Sequence, residues 1–223
     1  MILSAAALAP LGVTIKVATC ATLISTSFGV ALAWILARLR FWGQDWLDAA
    51  ATLPLVLPPT ALGYYLIVLL GGDSWIGHFL QKNFGVTLMF TWQGGVIAGA
   101  IASFPLIVKS ARSAIEGVEV NFENAARVLG SSEIGVFLRV TLPLAARGIL
   151  AGVMLAYAHV MGEFGAILMI AGDIPGRTQT VSMAIFDAVQ NGENGLANTL
   201  SAIISGLCVL ILVISGKLLK PRF

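Results

Sequence analysis

Charge is what this sequence has least of. Of its 223 residues only 11% are Asp, Glu, Lys or Arg, against 58% apolar residues and a mean hydropathy of +0.92. A water-facing domain carries roughly a quarter to a third of charged surface, so a soluble globular fold is excluded and lipid is the solvent. Cysteine is scarce. Cys20 and Cys208 both lie in apolar runs, where a thiol is a small packing group, and neither a disulfide nor a metal site is expected. His78 and His159 are far apart in sequence and make no ligand set. A Gly-x-x-x-x-Gly-Lys-Ser/Thr phosphate loop is missing, so the chain holds no ATP in the manner of an ATPase. No grouping of nucleophile, base and orienting residue marks an enzyme, and no cofactor is expected in this chain.

What is present is a set of long apolar runs. Five of them, 11–37, 53–70, 86–108, 148–171 and 196–216, match the roughly 20 residues that cross a hydrocarbon core. Lipid offers backbone amides no partner, and runs of this length do not alternate as barrel strands do, so each is expected to be helical. The expected fold is an all-α integral membrane protein, one domain over 1–223 with about five spans, without internal repeat or linker. The segment from Ala5 to Pro10 superficially resembles a leader cleavage site, but it precedes the apolar run and no basic residue lies ahead of it. That run is expected to be a retained anchor.

The thirteen basic residues orient the bundle. With the N-terminus outside, Arg38, Arg40, Lys109, Arg112, Arg127, Arg139, Arg147, Lys217, Lys220 and Arg222 all fall on the cytoplasmic side, leaving Lys16, Lys82 and Arg177 outside. Short inner loops rich in Lys and Arg are the rule, so the C-terminus is expected in the cytoplasm of a cell membrane protein. The net charge of +2 then reflects topology and gives no reason to invoke nucleic acid.

The loops differ. Those near 71–85 and 172–195 are rich in Gly, Asp and Asn, as exposed connections are. The segment 109–143 instead mixes charge with helical-period apolar residues. Asn121 is expected to cap a helix through Phe122 to Leu129, with Glu123 in its first turn and Gly130 as a left-handed stop. Ser131 or Ser132 is expected to cap a second helix bearing Glu133, Ile134, Phe137 and Leu138, until Leu142 and Pro143 open the next span. A compact two-helix cytoplasmic projection results.

Within it Asn124-Ala125-Ala126, then Gly130, then Val140-Thr141-Leu142-Pro143 is similar to the EAA signature of ABC importer permeases: Glu-Ala-Ala, a Gly four residues on, and a later Ile-x-Leu-Pro. The spacing matches. Asn124 replaces the Glu, with Glu123 displaced by one, and Val140 replaces Ile. The resemblance implies a coupling loop that docks into a separate ATPase subunit, with contacts from Glu123, Asn124, Ala125, Ala126, Arg127, Gly130, Val140, Leu142 and Pro143. Small residues there suit close backbone approach, and Arg127 and Glu123 suit a polar rim.

Further residues narrow the family. Leu53-Pro54-Leu55-Val56-Leu57-Pro58-Pro59 leading to Gly63-Tyr64, with Gly162-Glu163-Phe164-Gly165-Ala166 and Ile174-Pro175-Gly176-Arg177-Thr178, resembles the molybdate permease family (ModB) across nearly the whole chain. This implies a type I importer with two copies of this subunit, two ATPase subunits that bind ATP-Mg, and an external molybdate-binding protein. Sulfate and thiosulfate permeases share the Gly-Glu-Phe-Gly-Ala type of sequence but are usually longer, and tungstate carriers are close relatives.

Several residues are expected along the pathway or gate. Pro54, Pro58, Pro59 and Pro105 remove backbone donors at the cytoplasmic ends of two spans, where they either shape a gate or merely start and kink helices. His159 and Glu163, four apart in the fourth span, share one helical face and can tie helices or line a path. A bare carboxylate repels a dianion, so Glu163 is not expected to bind the oxyanion itself. Tyr64, Tyr65, Thr60 and Ser103 offer hydroxyls to the path or to neighbouring backbone. Lys16 is expected to snorkel to the outer interface. Gly95 with Gly99, and Gly148 with Gly152, form small-x-x-x-small pairs for close packing. An autonomous secondary transporter or channel is the reading from another class; it lacks the inverted repeat that such folds show. A membrane enzyme is a third.

Overall fold

The computed structural model describes residues 5–219, with side chains from 9 to 217. Lys220 and Arg222 lie outside the described residues. The elements in order are α1 (Ala5–Arg38), α2 (Gln44–Val56), α3 (Pro59–Leu70), α4 (Trp75–Phe84), α5 (Trp92–Glu116), α6 (Val120–Val128), α7 (Glu133–Val136), a π turn (Phe137–Thr141), α8 (Leu142–Gly162), α9 (Gly165–Ala171), α10 (Val181–Gln190) and α11 (Asn194–Leu219). Among the described residues four helices are long and apolar enough to cross a membrane: Ala9–Arg38, Trp92–Glu116, Glu133–Gly162 and Asn194–Lys217. A fifth crossing exists if α2 and α3, bent by 115°, count as one.

That bend corrects the expectation of one straight span over 53–70. Pro58 and Pro59 each lack a donor, and a residue before proline is driven out of the helical region. Leu57 is accordingly extended at φ −68°, ψ 140°, and Pro58 at φ −54°, ψ 137°. The helix breaks there and restarts with Pro59 in its first turn. Hydropathy also missed the start of α2, because its first turns hold Asp45 and Asp48. Asp48 is neutralised across the bundle by α5, with Lys109 Nζ at 2.8 Å and Arg112 Nη1 at 3.4 Å.

The expected span 148–171 is broken too. Its helix ends at Gly162, Glu163 turns extended at ψ 132°, and the chain restarts as α9. Glu163 Oε1 accepts the amide of Ala166 at 3.1 Å, satisfying one of the orphan donors at the start of α9. In the third span the helix begins later than 86, at Trp92, because Thr91 caps it through Gly94. It then runs unbroken past buried Pro105 to Glu116, so 109–116 belongs to α5 and not to a loop. The connections near 71–85 and 172–195 are also partly helical, containing α4, capped by Ser74, and α10.

Lipid provides no hydrophobic drive between helices, so tight crossing depends on small residues. The buried interfaces are rich in alanine: Ala18, Ala21, Ala98, Ala100 and Ala102 around one end, and Ala33, Ala111, Ala145 and Ala156 around the other. Helix α5 is the hub, packed on α1, α2, α8 and α9. The glycine pairs serve this packing. A Cβ on Gly148 would lie 2.6 Å from Ala114 Cβ, and one on Gly99 would lie 2.8 Å from a methyl of Val160. Helix α11 is the least buried of these long helices within the chain.

Candidate functional site

The segment after α5 is a projection whose parts are fixed by short-range chemistry. Helix α6 starts at Val120 after Glu119, which makes no side-chain cap, so Asn121 is not the expected cap. It ends with Gly130 at φ +86°, a left-handed geometry that glycine adopts without strain. Ser132 caps α7, accepting the amide of Gly135 at 3.2 Å. The second helix is not separate. It continues through the π turn into α8, with the amide of Leu142 bonded to the carbonyl of Phe137. Pro143 is the cause: it removes a donor and crowds the carbonyl four residues back, and widening by one residue relieves both.

Arg127 closes the projection. Its Nε and Nη2 donate to Glu133 Oε1 and Oε2 at 2.8 and 3.0 Å, and its Nη1 to Asn124 Oδ1 at 2.9 Å. Asn124, at the position of the signature glutamate, is thereby held at the surface. Ala125, Gly130 and Pro143 are exposed, and Ala126, Val140 and Leu142 are half-buried. Glu123 is the correction. Rather than lining a polar rim it is 1% exposed, bonded to Arg38 and Thr141. Motif spacing did not single out Val128 and Leu129, which are 88% and 85% exposed beside Ile134 at 70%. Large apolar side chains left this bare on a charged segment are the kind of surface that marks an interaction site. Its only sequence signal is that two apolar residues precede a stop glycine.

A second feature lies where the two broken helices meet. Pro54, Leu55, Leu57, Pro59, Leu62, Ala102, His159 and Glu163 line a cavity of about 110 Å³. Pro54 and Pro59 were expected at the end of one span and His159 with Glu163 deep in another, each as pathway or gate residues, and the structure brings the four around one cavity. His159 Nε2 is 3.7 Å from Glu163 Oε2, too long for the expected hydrogen bond. Glu163 instead spends its other oxygen on α9, leaving His159 the polar group of the cavity with no hydrogen-bond partner among the described residues. Pro58, Thr60, Tyr64 and Tyr65 are exposed near the bend. Ser103 and Pro105 are buried inside the bundle. The Ser103 hydroxyl donates to Ala100 O at 3.3 Å, the backbone role expected of a hydroxyl within a span.

The opposite end has its own polar elements. Lys16 sits with Nζ 3.5 Å from the centre of the ring of Trp92, the first residue of α5, a cation–π contact at the end of a span. In the loop over 172–180, Thr178 Oγ1 accepts from Ile174 N at 3.1 Å and donates to Gly172 O at 2.9 Å. Asp173 stands against Asp187 of α10, which also receives Gln179 Nε2 at 2.9 Å. Burial first, and the neighbouring Asp187 second, push the Asp173 carboxyl up to about 6. Thirteen residues and a turn separate the two aspartates, so nothing in the pattern paired them.

Among the described residues no group of His, Cys, Asp and Glu is arranged to hold a metal ion. Residues 29–223 match the profile of a family described as binding-protein-dependent transport system inner membrane component. The chain is 44% identical over 208 residues, 92% of its length and 90% of the relative's, to the molybdenum transport system permease protein ModB of Escherichia coli K12. It is 34% identical over 211 residues, 95% of this chain and 76% of the relative, to the sulfate transport system permease protein CysT of Salmonella typhimurium. Among solved structures, a bacterial ABC transporter involved in the import of the acidic polysaccharide alginate contains a chain that superposes with a TM-score of 0.76 at 13% identity. That match covers 96% of this chain and 79% of the other, and shows a shared fold.

Proposed function

Because the chain belongs to the family of binding-protein-dependent transport system inner membrane components, we propose that it forms the transmembrane pathway of an ATP-driven molybdate importer. The observation that carries the substrate is the 44% identity to the E. coli molybdenum permease over nearly the full length of both chains. The sulfate permease is more distant and only 76% covered, and makes sulfate the second reading. The chain is a multi-pass inner-membrane permease and not an enzyme; ATP hydrolysis belongs to a separate subunit.

The assembly we infer pairs two copies of this chain about a twofold axis, with two ATPase subunits and an external binding protein that delivers the anion. The projection of α6 and α7 faces the cytoplasm and docks on the ATPase through Val128, Leu129, Ile134, Ala125, Ala126 and Gly130. The N-terminus is outside, as the distribution of basic residues favours. Hydrolysis rocks the bundle, and the crossing of α3 with α9 beside His159 and Glu163 works as the gate. Few polar groups line this crossing, which suits a conduit that must release its cargo. Selectivity then rests on the external binding protein.

The test is uptake of labelled molybdate into vesicles holding the chain with its ATPase partner and binding protein, against excess sulfate. Uptake that needs ATP and binding protein and survives sulfate supports the proposal. Loss to sulfate selects the sulfate reading, and uptake by the chain alone overturns an ATP-driven importer.

A further inference from the structure

Glu123 lies on the projection, yet it is among the most deeply buried side chains of the molecule, 1% exposed. A carboxylate withdrawn from water this far is tolerated only when paired and fully bonded. Its partners come from three separate elements. Arg38, the last residue of α1, donates from Nε to Glu123 Oε1 at 3.0 Å. Thr141, in the π turn ahead of α8 and fully buried, donates its hydroxyl to the same oxygen at 2.7 Å. Arg127, one turn along α6, stands 3.8 Å from Oε2. Arg38 also reaches the end of α5: its Nη2 donates to the carbonyls of Ile115 at 2.8 Å and Val118 at 3.1 Å. These lie at the C-terminal end of α5, where a cation is favoured.

One carboxylate therefore gathers the end of α1, the end of α5, the start of α8 and the helix α6. Without it α6 would hang on two short connections, 117–119 and 129–132. The π turn would be a second compliant point, because Pro143 has already cost it a regular bond. A push on the exposed face of α6 would then be absorbed by tilting.

Building on the permease reading, we propose that Arg38, Glu123 and Thr141 are positioning residues. They form a buried lock that makes the projection one rigid body with α1, α5 and α8, so that movement of the ATPase subunits reaches the spans. The inference assigns a coupling role to Arg38, 85 positions from Glu123 and outside the signature segment.

The experiment uses the complete transporter in proteoliposomes, permease with ATPase subunit and binding protein, and reads molybdate imported per ATP hydrolysed. The wild-type complex is measured first. If it fails to import, the permease reading fails, whatever the lock does. Given wild-type import, Glu123→Ala and Arg38→Ala are expected to lower the ratio at least tenfold with the ATPase subunit still co-purifying. Glu123→Gln, which keeps an acceptor for Thr141, should fall between. Thr141→Val should lower the ratio about threefold and Thr141→Ser should restore it, and this mild pair decides the matter if the alanine variants do not insert. An unchanged ratio in Thr141→Val, or import and hydrolysis falling in proportion, overturns the proposal, since a merely structural role changes amount and not ratio.

Discussion

Gly165 and Pro59 hold the two broken helices against each other: a Cβ built on Gly165 would lie 2.8 Å from Pro59 Cβ and 3.5 Å from the amide nitrogen of Thr60. The contact joins the restart of α3 to the restart of α9. It sits next to the cavity that holds His159 and Glu163.

Gly165→Val should therefore force α3 and α9 apart, at the roughly 1–3 kcal/mol that overpacking costs. The expected outcome is a lower melting temperature in detergent together with loss of import. Gly162→Ala, where nothing lies within 4 Å of a new Cβ, should leave the melting temperature unchanged. Equal effects from both would remove the crossing from the gate.

Gly130 faces no neighbour within 4 Å, so size alone does not exclude a side chain there; its φ of +86° does. A β-branched residue should cost about 1–2 kcal/mol through left-handed strain, whereas Asn should be tolerated. Measured in the assembled transporter, Gly130→Val should uncouple hydrolysis from import and Gly130→Asn should not. Gly130→Trp adds bulk at the docking face, and normal coupled import in that variant would count against the ATPase contact.

Val128 and Leu129 contribute little to the fold of the single chain because they are almost fully exposed. Val128→Asp with Leu129→Asp should leave membrane insertion and melting temperature intact. Co-purification of the ATPase subunit should be lost. Retention of the ATPase subunit by the double variant would move the docking surface elsewhere.

Asp173 carries a pH dependence with a definite sign. Its folded pKa, pushed up to about 6 by burial and by Asp187, lies above the ordinary aspartate value of about 3.9. Protonation is thus favoured in the folded state. The stability this contributes is fully present below about pH 4 and lost as pH rises through about 6. Melting temperature should fall across that window, and Asp173→Asn should flatten the fall and raise stability at pH 7. An unaltered pH profile in Asp173→Asn would assign the dependence to another group.

Much of the site was legible because its signals are local. The stop at Gly130 and the cap at Ser132 each follow from the residue's own backbone chemistry, and the structure has Gly130 left-handed and Ser132 bonded to Gly135, whereas Pro58 and Pro59, expected only to start or kink one span, break it with Leu57 extended. The sequence also brought Glu163 and His159 together, since four residues make one helical face. Tying helices was one of their expected roles, and Glu163 does so by accepting the amide of Ala166 at the start of α9; what the pattern did not show is that α8 ends at Gly162, between the pair, and leaves the two side chains 3.7 Å apart. Ser103 was left open between path and backbone for a related reason. Hydroxyls that face a path and hydroxyls that face a neighbouring helix look alike until the crossing of α1 on α5 brings Ser25 Oγ to 3.4 Å from Ser103 Oγ.

Composition and spacing by themselves determined that this protein lives in lipid, that its spans are helical, and that one folded projection carries an importer signature. Those are properties of short stretches, set by the cost of an unpaired amide in hydrocarbon and by the φ and ψ that Gly and Pro permit. Only the tertiary structure decided that Glu123 turns inward to Arg38 and Thr141, that Asp173 meets Asp187, and that the two helix breaks abut at Pro59 and Gly165. Each depends on the angle and depth at which helices cross. That geometry is set jointly by alanines and glycines on several elements at once, and no one segment contains it.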